Sequence, residues 1–381
     1  MLLLQGGTLI YLDNAATGGF KPSAVLDSAT NTMRYLLSNP TRSSHRLSLT
    51  GSKAVYNTRK TASQIFGTDV ERVIFTKNCT EALNLAILGS DVCGKTVITT
   101  VYEHNSVLRP LFYLKSQGKI VLKILDCQRE ELPSSIENEI DDTTGLIVTS
   151  AISNVTGEIL PVTEIAKVAN KYSVPYVVDG AQAGGHISLN AVKQGISCIA
   201  LAGHKGLYGL MGSGLLIIHP NYNVSPIIFG GTGTESLNTY QPQDYPEKLE
   251  SGTQNLPAIV ALNEGLKYSS VNLRSFSEIL YNWTIWVKEE LSNIKGVSVF
   301  SKNNPAGIVS FKLSNFTSGE VADVLNQEFD IATRGGLHCA PLIHKRLGTE
   351  EEGLVRASFS VQNTERELIA FISAVRKIAM R

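Results

Sequence analysis

Two stretches decide the fold: Tyr176-Val-Val-Asp179-Gly-Ala-Gln182 and Cys198-Ile-Ala-Leu-Ala202-Gly-His-Lys205. Each is a short apolar, β-branched run that stops at glycine and at side chains able to do chemistry. A continuous apolar run of about four to eight residues is the pattern of a strand covered on both faces. Five further runs share it: Arg72 to Thr76, Thr96 to Val101, Ile120 to Leu125, Leu146 to Ser150 and Gly214 to Ile218. Helical patterns lie between most of them. The clearest is Pro161 to Tyr172, where Val162, Ile165, Val168, Ala169 and Tyr172 share one face behind a proline in the first turn. Strand, helix, strand alternation predicts an α/β fold with a mainly parallel, seven-stranded sheet and helices on both faces.

The rhythm changes after Ile218. A loop rich in Gly, Thr, Asn and Pro runs from Pro220 to Asn255, and helices are expected over Ala258 to Tyr268 and Phe276 to Ile294. Strand-like Val297 to Phe300 and Gly307 to Leu313, a helix from Gly319 to Phe329 and a last helix from Thr364 to Ala379 suit a smaller α+β C-terminal domain. A chain of 381 residues is long for one core. The expected division is a large domain over 15–255 and a small one over 256–381, joined by the N-terminal segment 1–14.

Lys plus Arg and Asp plus Glu both number 34, so no net field draws the protein to nucleic acid or to an anionic membrane. The five cysteines have no CxxC spacing, which argues against a disulfide framework and a zinc site. Met1 to Leu4 is apolar without a basic flank, and no apolar run approaches the length that spans a bilayer, so a soluble, cytoplasmic protein is expected.

In a doubly wound sheet, ligands sit beyond the carboxyl ends of the strands. Those ends carry Thr76-Lys-Asn-Cys-Thr-Glu81, Tyr102-Glu-His-Asn105, Ser153-Asn154, Asp179-Gly-Ala-Gln182 and Gly203-His-Lys205. Asp179 and Lys205 stand about one strand–helix–strand unit apart, which puts them on neighbouring strand ends. A lysine that forms an imine with pyridoxal 5′-phosphate needs a carboxylate to keep the pyridine nitrogen protonated, and this pair fits the two roles. Cys79-Thr-Glu-Ala82 opens a helix whose free N–H groups suit a phosphate, with Thr80 a candidate ligand or a plain cap, and His204 a further donor. No GxxxxGK[ST] motif is present, so a nucleotide site of that kind is not indicated.

Cys339 lies in Arg334-Gly-Gly-Leu-His-Cys-Ala-Pro341, a glycine-rich segment with His338 beside it. A nucleophilic thiol must be reachable and partly ionised, and neighbouring Arg or His⁺ would favour the thiolate. The other four cysteines read as filler. Arg356 stands in a strand-like run where a guanidinium needs a partner, either a substrate carboxylate or a structural Asp or Glu.

Taken together, these motifs resemble the class V aminotransferase family, and within it the group of cysteine desulfurases and selenocysteine lyases. The stretches that carry the likeness include Tyr11-Leu-Asp-Asn-Ala-Ala-Thr17, Asn39-Pro40, Thr80-Glu-Ala82, Glu103-His-Asn-Ser106, Ser153-Asn-Val-Thr-Gly157, Val178-Asp-Gly-Ala-Gln182, Gly203-His-Lys205, Ser251-Gly-Thr253, Arg334 to Ala340 and Arg356-Ala-Ser358. The resemblance implies a fold-type I pyridoxal phosphate enzyme with Lys205 in an aldimine, Asp179 on the pyridine nitrogen, Gln182 on the ring hydroxyl and His104 stacked on the ring. It implies Asn154 near ring and substrate, Thr80 and His204 as phosphate ligands, and Gly252 with Thr253 reaching the phosphate of the other subunit of a homodimer. Arg356, helped by Arg334, is implied as the carboxylate anchor and Cys339 as the thiol that becomes a persulfide.

The expected reaction is conversion of L-cysteine to L-alanine with sulfur passed to Cys339 and then to an acceptor protein. Selenocysteine lyase, another class V reaction, and a non-catalytic cofactor-binding regulator or a scaffold for sulfur-transfer partners are the alternatives. Leu337 stands where a second histidine is usual, and Cys79 where a small or hydroxylated residue is usual.

Overall fold

The computed structural model describes residues 9–40 and 45–381. Met1 to Leu4 lies outside the described residues. The chain forms two compact units. The larger comprises Lys21–Ala151 and Leu160–Leu273; the smaller comprises the described residues up to Phe20, Ile152–Ile159 and Arg274–Arg381.

The larger unit is built on seven strands: β1 (Val73–Thr76), β2 (Lys95–Thr100), β3 (Ile120–Leu125), β4 (Thr144–Ser150), β5 (Tyr176–Asp179), β6 (Cys198–Ala202) and β7 (Gly214–Ile218). Their spatial order is β1-β7-β6-β5-β4-β2-β3. Only β7 runs antiparallel to its neighbours, β1 and β6. All residues of β5, β6 and β7 are buried, as strands covered on both faces must be, whereas Val121 on edge strand β3 is exposed. The seven-stranded, mainly parallel sheet is the one expected from the apolar runs.

Strand order reverses at β2 and β4, which are adjacent although β3 intervenes in the chain. A crevice opens beyond the carboxyl ends of strands at such a switch point. Here Glu103, fully buried, fills its floor: Thr100 Oγ1 at the end of β2 donates to Oε1 at 2.5 Å, and Ser150 Oγ at the end of β4 donates to Oε2 at 2.7 Å. The register pairs Ser150 with Asp179 and Asp179 with Ala200, so the candidate carboxylate sits in line with this floor.

Helix Val162–Lys171 buries Val162, Ile165 and Ala169 as its periodicity predicts and Ala166 besides, while Val168 is half-buried. Tyr172 departs from that face. It sits at the C-cap, exposed, with its hydroxyl on Glu137 at 3.0 Å. The two helices expected after Asn255 are a single helix, Leu256–Ser292. No Gly or Pro interrupts Tyr268 to Phe276, and Ser269, Ser270 and Asn272 bond back to the carbonyls of Leu266, Lys267 and Tyr268. Polar residues here decorate the helix without competing for its ladder.

The smaller unit holds an antiparallel sheet, Val355–Ser358, Ile308–Leu313 and Val297–Val299, and a two-residue parallel pairing of Ile10–Tyr11 with Ile331–Ala332. Helices Ser318–Phe329 and Glu365–Ile378 begin in capping boxes, Thr317 with Glu320 and Thr364 with Glu367. Val309, Phe311, Leu325, Leu368 and Phe371 form the core, with the Phe311 and Phe371 rings edge-to-face at 6.1 Å.

Candidate active site

In the larger unit, Asp179 closes β5 with its side chain 5% exposed. Its Oδ1 accepts from the Ala181 N–H at 2.9 Å and from the Cys79 thiol at 3.5 Å. Cys79 is the first residue of helix Cys79–Leu88. Its thiol pKa is pushed well up by burial and by the Asp179 charge, and pulled the other way by Lys205. The thiol therefore lies within the fields of both the carboxylate and the ammonium, which brings the two sequence-predicted residues to one place.

Lys205 follows β6 in a turn, half-buried. A Cβ on Gly206 would collide with the Gly184 carbonyl, so the chain beyond the lysine needs glycine to pack against the turn after Asp179. Gln182, in that turn, is buried. His204 is lowered to about 4 by burial, then by the Lys205 and Lys21 charges. Lys21 Nζ donates to the His204 carbonyl at 2.9 Å and is itself lowered to about 8 by burial. His204 is thus a neutral imidazole at pH 7.

His104 caps helix Asn105–Ser116, its Nδ1 accepting from the Ser106 N–H at 3.0 Å. Ser106 Oγ lies 2.8 Å from Thr80 Oγ1, so two hydroxyls meet at the start of helix Cys79–Leu88. Asn78 caps the Glu81 N–H there; the Cys79 and Thr80 N–H groups have no acceptor among the described residues. Burial raises the Glu103 carboxyl to about 8, against the Thr100 and Ser150 hydrogen bonds and with the Asp179 charge adding to the rise. Glu103 therefore stays protonated at pH 7.

These features fit pyridoxal 5′-phosphate on their own chemistry. A buried carboxylate at the end of β5 suits a pyridinium N–H, two N–H groups with two hydroxyls at a helix start suit a phosphate, and Lys205 supplies an amine. Gly252 and Thr253 are exposed, and line a cleft with Thr76, Lys77 and Glu81.

In the smaller unit, Arg356 in strand Val355–Ser358 is 2% exposed. Nη1 donates to the Asn154 carbonyl at 3.0 Å and Nη2 to Asp13 Oδ1 at 3.2 Å. Its Nε is buried without a partner among the described residues, as is Asn154 Oδ1. Asn154 Nδ2 donates to the His338 carbonyl at 2.7 Å, so Arg356, Asn154 and the Cys339 segment form one cluster. Arg334 joins it through the backbone, exchanging N–H···O bonds with Arg356 at 2.8 and 3.2 Å.

Cys339 is exposed, and both it and His338 take left-handed backbone conformations, with φ of 58° and 48°. A side chain rarely adopts this region, and two in succession turn the thiol outward while His338 turns in. His338 Nε2 lies 3.0 Å from the Leu354 carbonyl, and burial lowers its pKa to about 2. The expectation of a cationic His338 beside the thiol is corrected by this burial, because the ring is neutral. Arg334 and Arg356 are the cations of this cluster.

Several site residues had no individual reading in the sequence. Asp13, Glu103 and Ser106 lie inside stretches already singled out, Tyr11 to Thr17 and Glu103 to Ser106, which was the available signal. Lys21 had none. Cys79, read as filler, touches Asp179.

The sequence profile of the aminotransferase class-V family matches residues 10–371. A probable cysteine desulfurase of Methanothermobacter thermautotrophicus is 29% identical, with 97% of this chain and 94% of that protein covered. One from Pyrococcus abyssi is 30% identical, with 97% and 94% covered. Among solved structures, the apo cysteine desulfurase of Thermococcus onnurineus superposes with a TM-score of 0.90 at 31% identity, covering 98% of this chain and 95% of that one. An Escherichia coli cysteine desulfurase in an S-sulfonic acid form gives 0.86 at 25% identity, covering 98% and 94%. With the profile spanning nearly the whole chain and the fold shared, this protein belongs to the class V aminotransferase family.

Proposed function

We propose that the protein is a cysteine desulfurase that converts L-cysteine to L-alanine and takes the sulfur onto Cys339, with pyridoxal 5′-phosphate as cofactor. The observation that carries this reading is the buried Asp179 carboxylate, held at Oδ1 by Ala181 and Cys79 within the same charge neighbourhood as Lys205. The relatives named cysteine desulfurase, matched over nearly the full chain, support the choice of reaction within the family.

Pyridoxal phosphate, when bound, supplies an electron sink for the charge that develops at the substrate Cα. Lys205 Nζ would carry the cofactor and move the Cα proton. Asp179 would meet the ring nitrogen, Gln182 the ring hydroxyl and His104 the ring face. Thr80, Ser106, His204 and the N–H groups at the start of helix Cys79–Leu88 would receive the phosphate. Arg356 pairs with the substrate carboxylate through the side of the guanidinium that Asp13 and Asn154 leave open, with Arg334 adding charge and Asn154 Oδ1 positioning substrate. Cys339 Sγ, as thiolate, bonds to the substrate sulfur as the Cβ–S bond breaks, and a proton completes alanine.

The active form is a homodimer in which Gly252 and Thr253 serve the partner's phosphate. Exposed Leu26, Met33, Tyr35, Leu37, Leu47 and Leu49 support a covered surface on the helices Ser23–Tyr35 and Arg46–Phe66 and at Leu37. A sulfur-acceptor protein is the second partner. No helix among the described residues is long and apolar enough to cross a membrane.

The test is incubation with pyridoxal phosphate and L-cysteine. Equimolar alanine and sulfide under reducing conditions, both lost in Lys205→Ala, are expected; a protein that takes no cofactor, or forms alanine without releasing sulfur, contradicts the reading.

A further inference from the structure

The contact between Cys79 and Asp179 is not needed for the fold of helix Cys79–Leu88, which Asn78 already caps. The thiol is 7% exposed, and its Sγ stands 3.5 Å from Asp179 Oδ1. A thiolate here would face a buried carboxylate, so the sulfur keeps its proton, and the only direction for the hydrogen bond is from S–H to the carboxylate. The Ala181 N–H reaches the same oxygen at 2.9 Å. Two donors on Oδ1 fix the rotation of the carboxyl group about its Cβ–Cγ bond.

We infer that Cys79 is a positioning residue for Asp179: its S–H donates to Oδ1 and orients the carboxylate so that Oδ2 meets the cofactor ring nitrogen. This rests on the cofactor reading above. A small residue at this position would leave Oδ1 with one donor and a freer carboxylate. A hydroxyl would restore the second donor in nearly the same volume. Sulfur is the weaker donor of the two, so serine is expected to match or exceed cysteine, and alanine to fall below both.

The experiment has two readouts on the full-length protein. The first is the infrared S–H stretching band of Cys79, assigned as the band lost in Cys79→Ala. A carboxylate acceptor lowers its frequency relative to the other cysteine thiols, and Asp179→Asn, with a neutral acceptor, raises it again. A Cys79 band that coincides with the unbonded thiols, or that ignores Asp179→Asn, overturns the inference. The second is pyridoxal phosphate affinity by absorbance titration. Cys79→Ala is expected to weaken it by about threefold to tenfold, as loss of one ordinary hydrogen bond implies for a weak thiol donor, and Cys79→Ser to retain it. Equal affinity in Cys79→Ala overturns the positioning role. A wild-type protein with the shifted band that binds no pyridoxal phosphate would overturn the function reading while leaving the thiol–carboxylate contact standing.

Discussion

Arg356 Nη2 lies 3.2 Å from Asp13 Oδ1 in a strand where the guanidinium is 2% exposed. Asp13 and the Asn154 carbonyl hold the two terminal nitrogens, and Nε stays without a partner among the described residues. The sequence left Arg356 between a substrate role and a structural partner. The geometry has the structural partner, and it also leaves a donor over.

Arg356→Lys should therefore raise KM for L-cysteine by roughly tenfold or more, since a lysine cannot offer two parallel donors while keeping its rear contacts. Cofactor absorbance should be unchanged. Steady-state alanine formation checks this, and a KM within twofold of wild type would argue against a carboxylate anchor here.

Glu103 makes stability depend on pH in an unusual direction for a carboxyl group. Its folded value, about 8, lies above the ordinary 4.5. Between those values the native state keeps a proton that the unfolded chain has lost, so its contribution is fully present below the unfolded value and is lost as pH rises through the folded one. The slope is on the order of 1 kcal/mol per pH unit. Glu103→Gln, which keeps the shape and cannot ionise, should remove that slope. Urea unfolding of both proteins from about pH 5 to about pH 8 tests it, and parallel profiles would contradict a neutral Glu103.

Arg59 forks onto Glu250 at 2.8 and 2.9 Å, and the Phe75 N–H donates to the same carboxylate at 2.7 Å. Both side chains are nearly inaccessible. Arg59→Met would strand the Glu250 charge and should cost about 3–5 kcal/mol, part of which Glu250→Gln added to it should recover. Because Glu250 directly precedes Ser251-Gly252-Thr253, the single variant should also loosen that segment, seen as faster amide exchange. Unfolding midpoints within 1 °C of wild type would refute the estimate, given the size of shift that such a loss entails (about 2–4 °C per kcal/mol).

His338 should not titrate near neutrality. The Leu354 carbonyl can only accept, so Nε2 carries the proton and Nδ1 is bare. Imidazole nitrogen NMR should show one neutral tautomer from about pH 5 to about pH 8; a midpoint near 6.5 would mean that the ring is not buried as described.

The sheet was legible because its strands are buried on both faces, so apolar runs such as Cys198 to Ala202 have no polar interruption to blur them. Asp179 and Lys205 were legible because strand ends in such a sheet are where polar residues collect. Other features were hidden for physical reasons. Helix Leu256–Ser292 looked broken at Ser269-Ser270, but side-chain bonds to earlier carbonyls let serine ride an intact helix. Cys79 looked like filler because a thiol is apolar in composition, and only the register of two distant segments shows its acceptor. His338 looked like a charge neighbour of Cys339, yet adjacent residues in the left-handed region turn in opposite directions.

The claim that most needs a direct measurement is the role of Cys339, exposed on its left-handed turn. Peptide mass spectrometry without reductant, after the protein with pyridoxal phosphate has met L-cysteine, reads it. A gain of one sulfur on the peptide holding Cys339, absent in Lys205→Ala, is the predicted result. An unmodified Cys339 while alanine accumulates, or equal turnover of L-cysteine by Cys339→Ala, would contradict it.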